Sequence, residues 1–234
     1  MAVRIPWHKT LPSRALSAAH GVPATRLGRR LFPATTKLRS SDAVALTFDD
    51  GPDRALDQFL ELLEAAGATA TFFVAGEQAE RDPDRLRQIV SGGHHVGVHC
   101  YRHVDHLCLS PKQVLEDMRR AREIIEGTTG EPTRLFRPPY GRFSMTSWVE
   151  AGRQGWERVL WTLNRDARDW EAGATPRSIT DNVGWPDPGD IILMHDSDRY
   201  AHPGSWRIAL KALPVILERL HDRDLVARSI AEML

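Results

Sequence analysis

No run of the 234 residues is long and apolar enough to form a membrane-spanning helix. The N-terminus also lacks the apolar core of a secretory leader, because Arg4, Lys9 and Arg14 interrupt it. A soluble cytoplasmic protein is therefore expected. The only cysteines are Cys100 and Cys108. Two thiols do not make a disulfide framework, and reduced side chains are expected. Acidic residues are missing from the first 41 positions, where eight basic residues stand with no Asp or Glu before Asp42. The rest of the chain carries 23 basic and 31 acidic residues, so a basic arm with Lys37 and Arg39 at its end precedes a body of net charge −8. Such an arm suits either an anionic membrane surface or salt bridges to its own domain. There are no internal repeats and no low-complexity segments.

What remains is ordinary globular composition, 41% hydrophobic and 26% charged, enough for one large core. Residues 1–41 read as an extension with one short helix near Ser13–His20. From position 42 strands and helices alternate. Ala43–Phe48 is a β-branched apolar strand that stops at Asp-Asp-Gly-Pro. Leu56, Leu60, Leu62 and Leu63 mark a helical face over 55–66. Further strands are predicted at 68–74, 95–98, 135–136, 158–161, 190–194 and 225–227. Further helices are predicted at 83–91, 110–126, 145–154, 176–183 and 205–221, with a short one at the end. About seven βα units point to parallel strands closing into a barrel.

Polar clusters fall where strands end, the place where barrels of this kind build active sites. The first is Thr47-Phe48-Asp49-Asp50-Gly51-Pro52. Adjacent carboxylates at a strand end point in different directions, so one can bind a metal while the other stays free as a base. A plain turn explains the bare motif equally well. The second is His99-Cys100-Tyr101-Arg102-His103. Two imidazoles and one carboxylate make a set that suits Zn2+ and leaves positions open. Scatter in a histidine-rich stretch, with His94, His95 and His106, is the competing reading. The third is Phe136-Arg137-Pro138-Pro139-Tyr140-Gly141. Its rigid backbone can present an N–H to an oxyanion, and Arg137 can keep a carboxylate ionised. The fourth and fifth are Asp166-Ala167-Arg168-Asp169-Trp170 and Leu193-Met194-His195-Asp196. A strand-end His beside a carboxylate is an acid–base pair, although a loop salt bridge accounts for either segment alone.

Taken together and in this order, the five clusters resemble the polysaccharide deacetylases, the NodB-homology domains of carbohydrate esterase family 4. The resemblance runs from Ala43 to the last helix, about four-fifths of the chain, and Thr-Phe-Asp-Asp-Gly-Pro is its most specific element. It implies a distorted (β/α)7 TIM-like barrel over 42–234, a single catalytic domain behind a basic extension at 1–41. It implies that Asp50, His99 and His103 hold a divalent metal, most often Zn2+, with Co2+ or Ni2+ as alternatives. By the same resemblance Asp49 is the general base and Arg137 positions it. The Tyr140 backbone N–H belongs to an oxyanion hole. His195 is the general acid, tuned by Asp169, and Leu193 and Trp170 line an acyl pocket. Cys100 departs from the family, which usually has Ser or Thr there to steady the loop.

The resemblance thus implies a hydrolase that removes an N-acyl group, acetyl first, from an amino sugar. The expected substrates are an oligosaccharide, a lipid-linked sugar or another small N-acyl compound. A polyprenyl-phosphate sugar at the inner membrane face would suit the basic arm. No nucleic-acid partner is expected, and the sequence leaves the oligomeric state open. A catalytically silent carbohydrate-binding domain is the alternative, weakened because each assigned position holds a competent residue. An Asp-nucleophile phosphatase fits poorly, since that chemistry separates its two aspartates by one residue and does not use paired His. Trp185, Tyr200 and Trp206 are candidates either for stacking on a sugar or for packing.

Overall fold

The computed structural model describes residues 32–234, so the helix expected at Ser13–His20 lies outside the described residues. Seven strands form one all-parallel sheet: β1 (Ala43–Asp49), β2 (Thr71–Ala75), β3 (His95–Cys100), β4 (Leu135–Phe136), β5 (Glu157–Arg158), β6 (Ile191–His195) and β7 (Val226–Arg228). The order is β5-β4-β3-β2-β1-β6, and β7 pairs with the first residues of β1. Crossovers run through α1 (Leu56–Ala65), α2 (Gly76–Arg81), α3 (Pro83–Ser91), α4 (Pro111–Thr129), α5 (Met145–Arg153), α6 (Pro176–Val183) and α7 (Ser205–His221), and α8 (Ile230–Met233) follows β7. The fold is the distorted (β/α)7 barrel that the resemblance implies, with the parallel strands that the alternation predicts.

The barrel closes between β5 and β6 without a direct ladder. Thr35 bridges Val159 in parallel and Lys37 bridges Asp190 in antiparallel sense, while Asp166 bridges Leu193 further up. Lys37 Nζ sits 2.7 Å from Asp190 Oδ1, and Phe32 packs edge-on to Trp148 at 5.4 Å. The described end of the expected extension thus fills the barrel seam, and Lys37 takes the salt-bridging alternative. This also explains why β5 is shorter than predicted. Its extended chain continues through Val159 and Leu160: the Val159 N–H still donates to the Phe136 carbonyl of β4 at 2.9 Å, but the bridge partner of Val159 is Thr35, whose carbonyl accepts the Leu160 N–H at 2.9 Å.

Strand alternation sorts the side chains onto two faces. Val44, Leu46 and Phe48 point outward and pack under the helices, with Phe48 5.3 Å from Phe59 and 5.1 Å from Phe72. Each such buried side chain contributes roughly 1.5–3 kcal/mol. Ala45, Phe73, Leu135, Val159 and Ile191 point inward and, with Leu38 and Ile230, plug the barrel floor. Helix α2 is not anticipated from sequence. It has no capping side chain and starts at Gly76, where a Cβ would meet the Ala121 Cα at 3.0 Å. Helix α4, by contrast, carries the full Ser110–Gln113 capping box with Pro111 in its first turn.

Candidate metal centre and active site

Above the apolar floor the inward positions turn polar. On β1 the column runs Ala45, Thr47, Asp49; on β6 it runs Ile191, Leu193, His195, and Asp49 pairs with His195 in the ladder. Arg137 follows β4 and is fully buried. Its Nη1 donates to Asp49 Oδ1 at 2.7 Å and to Thr47 Oγ1 at 2.8 Å, and its Nη2 donates to the Leu160 carbonyl at 3.0 Å. The guanidinium lies 4.1 Å above the Phe73 ring. That ring has room only because residue 97 is glycine, where a Cβ would come within 2.7 Å of it. Burial lowers the Arg137 pKa and the Asp49 carboxylate opposes the drop, so the pair depends on mutual compensation.

Asp50 breaks the alternation. Its φ of 81° is left-handed, a conformation that Asp tolerates better than most residues. Its buried Oδ1 stands 3.3 Å from His103 Nε2 and 3.5 Å from His99 Nε2 and has no hydrogen-bond partner among the described residues. Ligand arms of about 2 Å meeting near the tetrahedral angle place donor atoms about 3.3 Å apart, close to these spacings. The Nδ1 of His99 lies 2.7 Å from the Arg137 carbonyl oxygen, so Nδ1 carries the proton and Nε2 keeps its lone pair. Burial pushes the His103 pKa down, toward the neutral ring that binds metals. Burial also works against the charged form of Asp50, but the facing His103 and His99 override it and hold the carboxyl well below its ordinary range. Asp50, His99 and His103 place one donor atom each within 4.8 Å of one another. The donor set fits a divalent cation.

His195 is fixed by Asp169 at two points. Asp169 Oδ1 lies 2.7 Å from Nδ1, and Oδ2 accepts the His195 backbone N–H at 2.8 Å. Burial disfavours the imidazolium, but Asp169 and then Asp50 and Asp49 keep the pKa up at about 10. The ring's carboxylate is therefore Asp169, while the adjacent Asp196 turns away into the interior. Tyr140 has φ 59° in the tight turn Pro139–Gly141, and its ring lies 4.6 Å from that of His103. The neighbouring amides of Gly141 and Arg142 are bonded to Pro138 and Pro139, and among the described residues no such bond takes the Tyr140 N–H. Trp170 is 43% exposed and Leu193 is buried in β6.

Comparison with known proteins gives the family. The polysaccharide deacetylase family profile matches residues 37–159. The chain belongs to the polysaccharide deacetylase family. A peptidoglycan-N-acetylglucosamine deacetylase of Bacillus cereus is 34% identical over 82% of this chain and 87% of its own length. A chitooligosaccharide deacetylase of Sinorhizobium fredii is 32% identical over 81% of this chain and 91% of its own length. The crystal structure of the Bc1960 peptidoglycan N-acetylglucosamine deacetylase superposes with a TM-score of 0.79 at 28% identity, covering 88% of this chain and 94% of that one. Membership places this deacetylase-family chain among hydrolases of non-peptide carbon–nitrogen bonds.

The deacetylase scaffold also relies on residues that the motifs do not reveal. Tyr200 stacks on His103 at 4.5 Å and 13°, and its hydroxyl is held by Glu77 and Gln78. It packs against the centre, as the second of its two expected roles had it. Trp206 is a core residue at 8% exposure, and Trp185 lies beside Arg219 between α6 and α7. Asp117 on α4 accepts the backbone N–H groups of Tyr101 and Arg102 at 2.8 and 2.9 Å. Those bonds hold the loop that a hydroxyl at position 100 would steady. The Cys100 thiol is buried, and burial together with Asp117 raises its pKa well above the ordinary value. A protonated, inaccessible thiol is a poor target for oxidation. Asp196 is fully buried with both oxygens unpartnered among the described residues, and burial and Asp50 raise its pKa well above the ordinary carboxyl value. Nothing in the spacing distinguishes Asp117 from the surface acids around it, whereas Asp196 falls in the fifth cluster.

Proposed function

We propose that this chain hydrolyses the N-acyl bond, acetyl in the first instance, of an N-acetylglucosamine-containing substrate. The observation that carries the reading is the placement of two preorganised proton-transfer pairs, Asp49–Arg137 and His195–Asp169, beside one three-donor metal set. A zinc ion held there, or cobalt or nickel in its place, would polarise the acyl carbonyl and acidify water. Arg137 occupies Asp49 Oδ1, leaving Oδ2 to accept a proton from the attacking water. The backbone N–H of Tyr140 donates to the oxygen that gains charge as the carbonyl carbon becomes tetrahedral. His195, protonated through its contact with Asp169, gives its Nε2 proton to the departing amine, which is otherwise a very poor leaving group. Leu193 and Trp170 bound the acyl group. The named activities of the relatives, on peptidoglycan and on chitooligosaccharides, support an amino-sugar substrate.

The test is a mass-spectrometric deacylation screen over N-acetylated chito-oligosaccharides, peptidoglycan fragments and lipid-linked amino sugars. It is run with added zinc, after chelation, and with Asp49→Asn. Acyl loss that disappears on chelation and in the variant is expected. Bound metal without turnover on any member of the panel would replace this reading with a sugar-binding module.

A further inference from the structure

A cavity of about 210 Å3 opens beside the metal centre, and four arginines line it, Arg54, Arg81, Arg85 and Arg199, with Asp53 and Asp82. Pro52 also lines it and stands two residues beyond Asp50, so the chain from metal ligand to cavity wall spans at most about 7 Å. On the other side, Gln78 faces the cavity and donates to the Tyr200 hydroxyl at 3.0 Å, and the Tyr200 ring stacks on His103. Gln78 and then Tyr200 thus stand between the cavity and His103.

The two wall carboxylates are already engaged. Asp82 accepts from Arg85 Nε at 2.7 Å. Asp53 accepts the Ser197 hydroxyl at 2.9 Å and the Arg54 backbone N–H at 2.8 Å. The guanidiniums, with five N–H donors each, are not exhausted. Arg54 meets Asp198 through Nη2 alone, and Arg85 adds only the Asp53 carbonyl at 2.9 Å. Arg81 reaches Gln78 at 3.3 Å and Glu77 at 3.6 Å. Arg199 is bonded through its backbone N–H to Ser197, and its guanidinium pairs with no carboxylate among the described residues. Converging arginine forks with spare donors recognise oxyanions, where each charge-assisted bond is stronger than a neutral one.

We propose that this cavity is an anion subsite for a phosphate or carboxylate carried by the amino-sugar substrate. The inference rests on the deacylase reading of the neighbouring centre. A neutral polymer leaves these donors to water, whereas a charged substituent on the sugar would be read by them.

The experiment compares N-acetylglucosamine, its 1-phosphate, and a derivative bearing a carboxyl-terminated ether, in wild type, Arg199→Ala and Arg199→Lys. The 1-phosphate or the carboxylate should have the lower KM in wild type. Arg199→Ala should raise that KM about tenfold, leaving kcat and the neutral substrate unchanged, and Arg199→Lys should restore part of it. The charged substrate that responds identifies the group. Equal KM values for charged and neutral sugars in wild type, or parallel losses on all three, would overturn the subsite. If no N-acyl sugar is turned over, the deacylase reading has failed separately, and calorimetric titration with inorganic phosphate decides the subsite alone. Saturable binding weakened at least about fivefold in Arg199→Ala then supports it, and no binding to wild type refutes it.

Discussion

Replacing Asp169 with Asn isolates the part of the chemistry that depends on a charged partner for His195. The two residues are joined by a ring contact at 2.7 Å and a backbone bond at 2.8 Å, and Asp169 is almost fully buried. An amide keeps the size and one acceptor but removes the charge that, against burial, holds the His195 pKa up at about 10. Without that charge the ring falls toward the ordinary value of about 6.5. A general acid must be protonated to act. At about pH 8 the wild-type ring is almost wholly protonated and the variant's only about 3%, so kcat/KM should drop roughly 30-fold. At about pH 6 most variant rings are protonated and the loss from this cause shrinks below about twofold. A bound cation lowers both values, so the decisive quantity is the distance between the two alkaline limbs. Stability follows the same linkage. A pKa raised in the native state stabilises fully below the unfolded value of about 6.5 and loses that contribution as pH climbs to about 10. The thermal midpoint of Asp169→Asn should therefore lie furthest below wild type at mildly acid pH and approach it on the alkaline side. A rate loss of equal size at every pH would refute the reasoning, because it would mean that Asp169 only positions the ring.

Other perturbations reach different parts of the centre. Arg137→Ala strands the Asp49 charge in the interior and should cost about 3–5 kcal/mol in urea unfolding, with Arg137→Lys in between, since one ammonium cannot serve Thr47, Asp49 and the Leu160 carbonyl together. Cys100→Ser should change kcat/KM by less than about tenfold, or about 1.4 kcal/mol in barrier, because Asp117 already holds the loop; a far larger loss in steady-state assays would contradict this. Gly51→Ala puts a Cβ 2.0 Å from Asp196 Oδ2 and should destabilise the fold, and Asp196→Ala in the same chain should recover part of the loss, with a coupling of about 0.5–3 kcal/mol in a double-mutant cycle. We propose peripheral contact of the basic arm with anionic membranes. Deleting residues 1–31, which spares the seam-filling Thr35 and Lys37, should then reduce sedimentation with anionic liposomes while activity on soluble sugars persists; unchanged sedimentation would end that idea.

Much of the barrel is legible from sequence because its long helices announce themselves. Ser110-Pro111 and Thr175-Pro176 are capped starts with apolar periodicity behind them, and both helices form where they are predicted. The strands are legible as β-branched runs, but their partners are not. Nothing local to Val159 says that it will pair with Thr35, 124 positions earlier, rather than prolong the ladder with β4. At the centre, Asp49, Asp50, His99, Arg137 and His195 stand out because each sits at or next to a strand end, and His103 because it pairs with His99 four residues before it. The partner of His195 is named only by the family resemblance, since the acid next to it in sequence is Asp196 and the acid next to it in space is Asp169. Asp117 and Tyr200 act through contacts 16 residues and about 100 residues from the loop they steady, beyond the range of any local pattern.

The adjacent acids at the end of β1 show how a strand that alternates can aim two neighbours at one reaction. Asp49 keeps the inward column and meets Arg137. An extended Asp50 would point outward, toward the helices that cover Phe48. Its left-handed φ of 81° turns it back toward His99 and His103, at a local cost of about 1–3 kcal/mol. Two features maintain that turn. Gly51 lets the Asp196 carboxyl lie against the backbone where any side chain would collide, and His99 is locked by the Arg137 carbonyl at 2.7 Å. Arg137 therefore acts twice, its side chain on Asp49 and its backbone on a ligand of the set that Asp50 completes. Pro138 and Pro139 immediately behind it restrict the chain that makes both contacts. A shift of this one residue would therefore move Asp49, the proposed base, and His99, a proposed metal ligand, together.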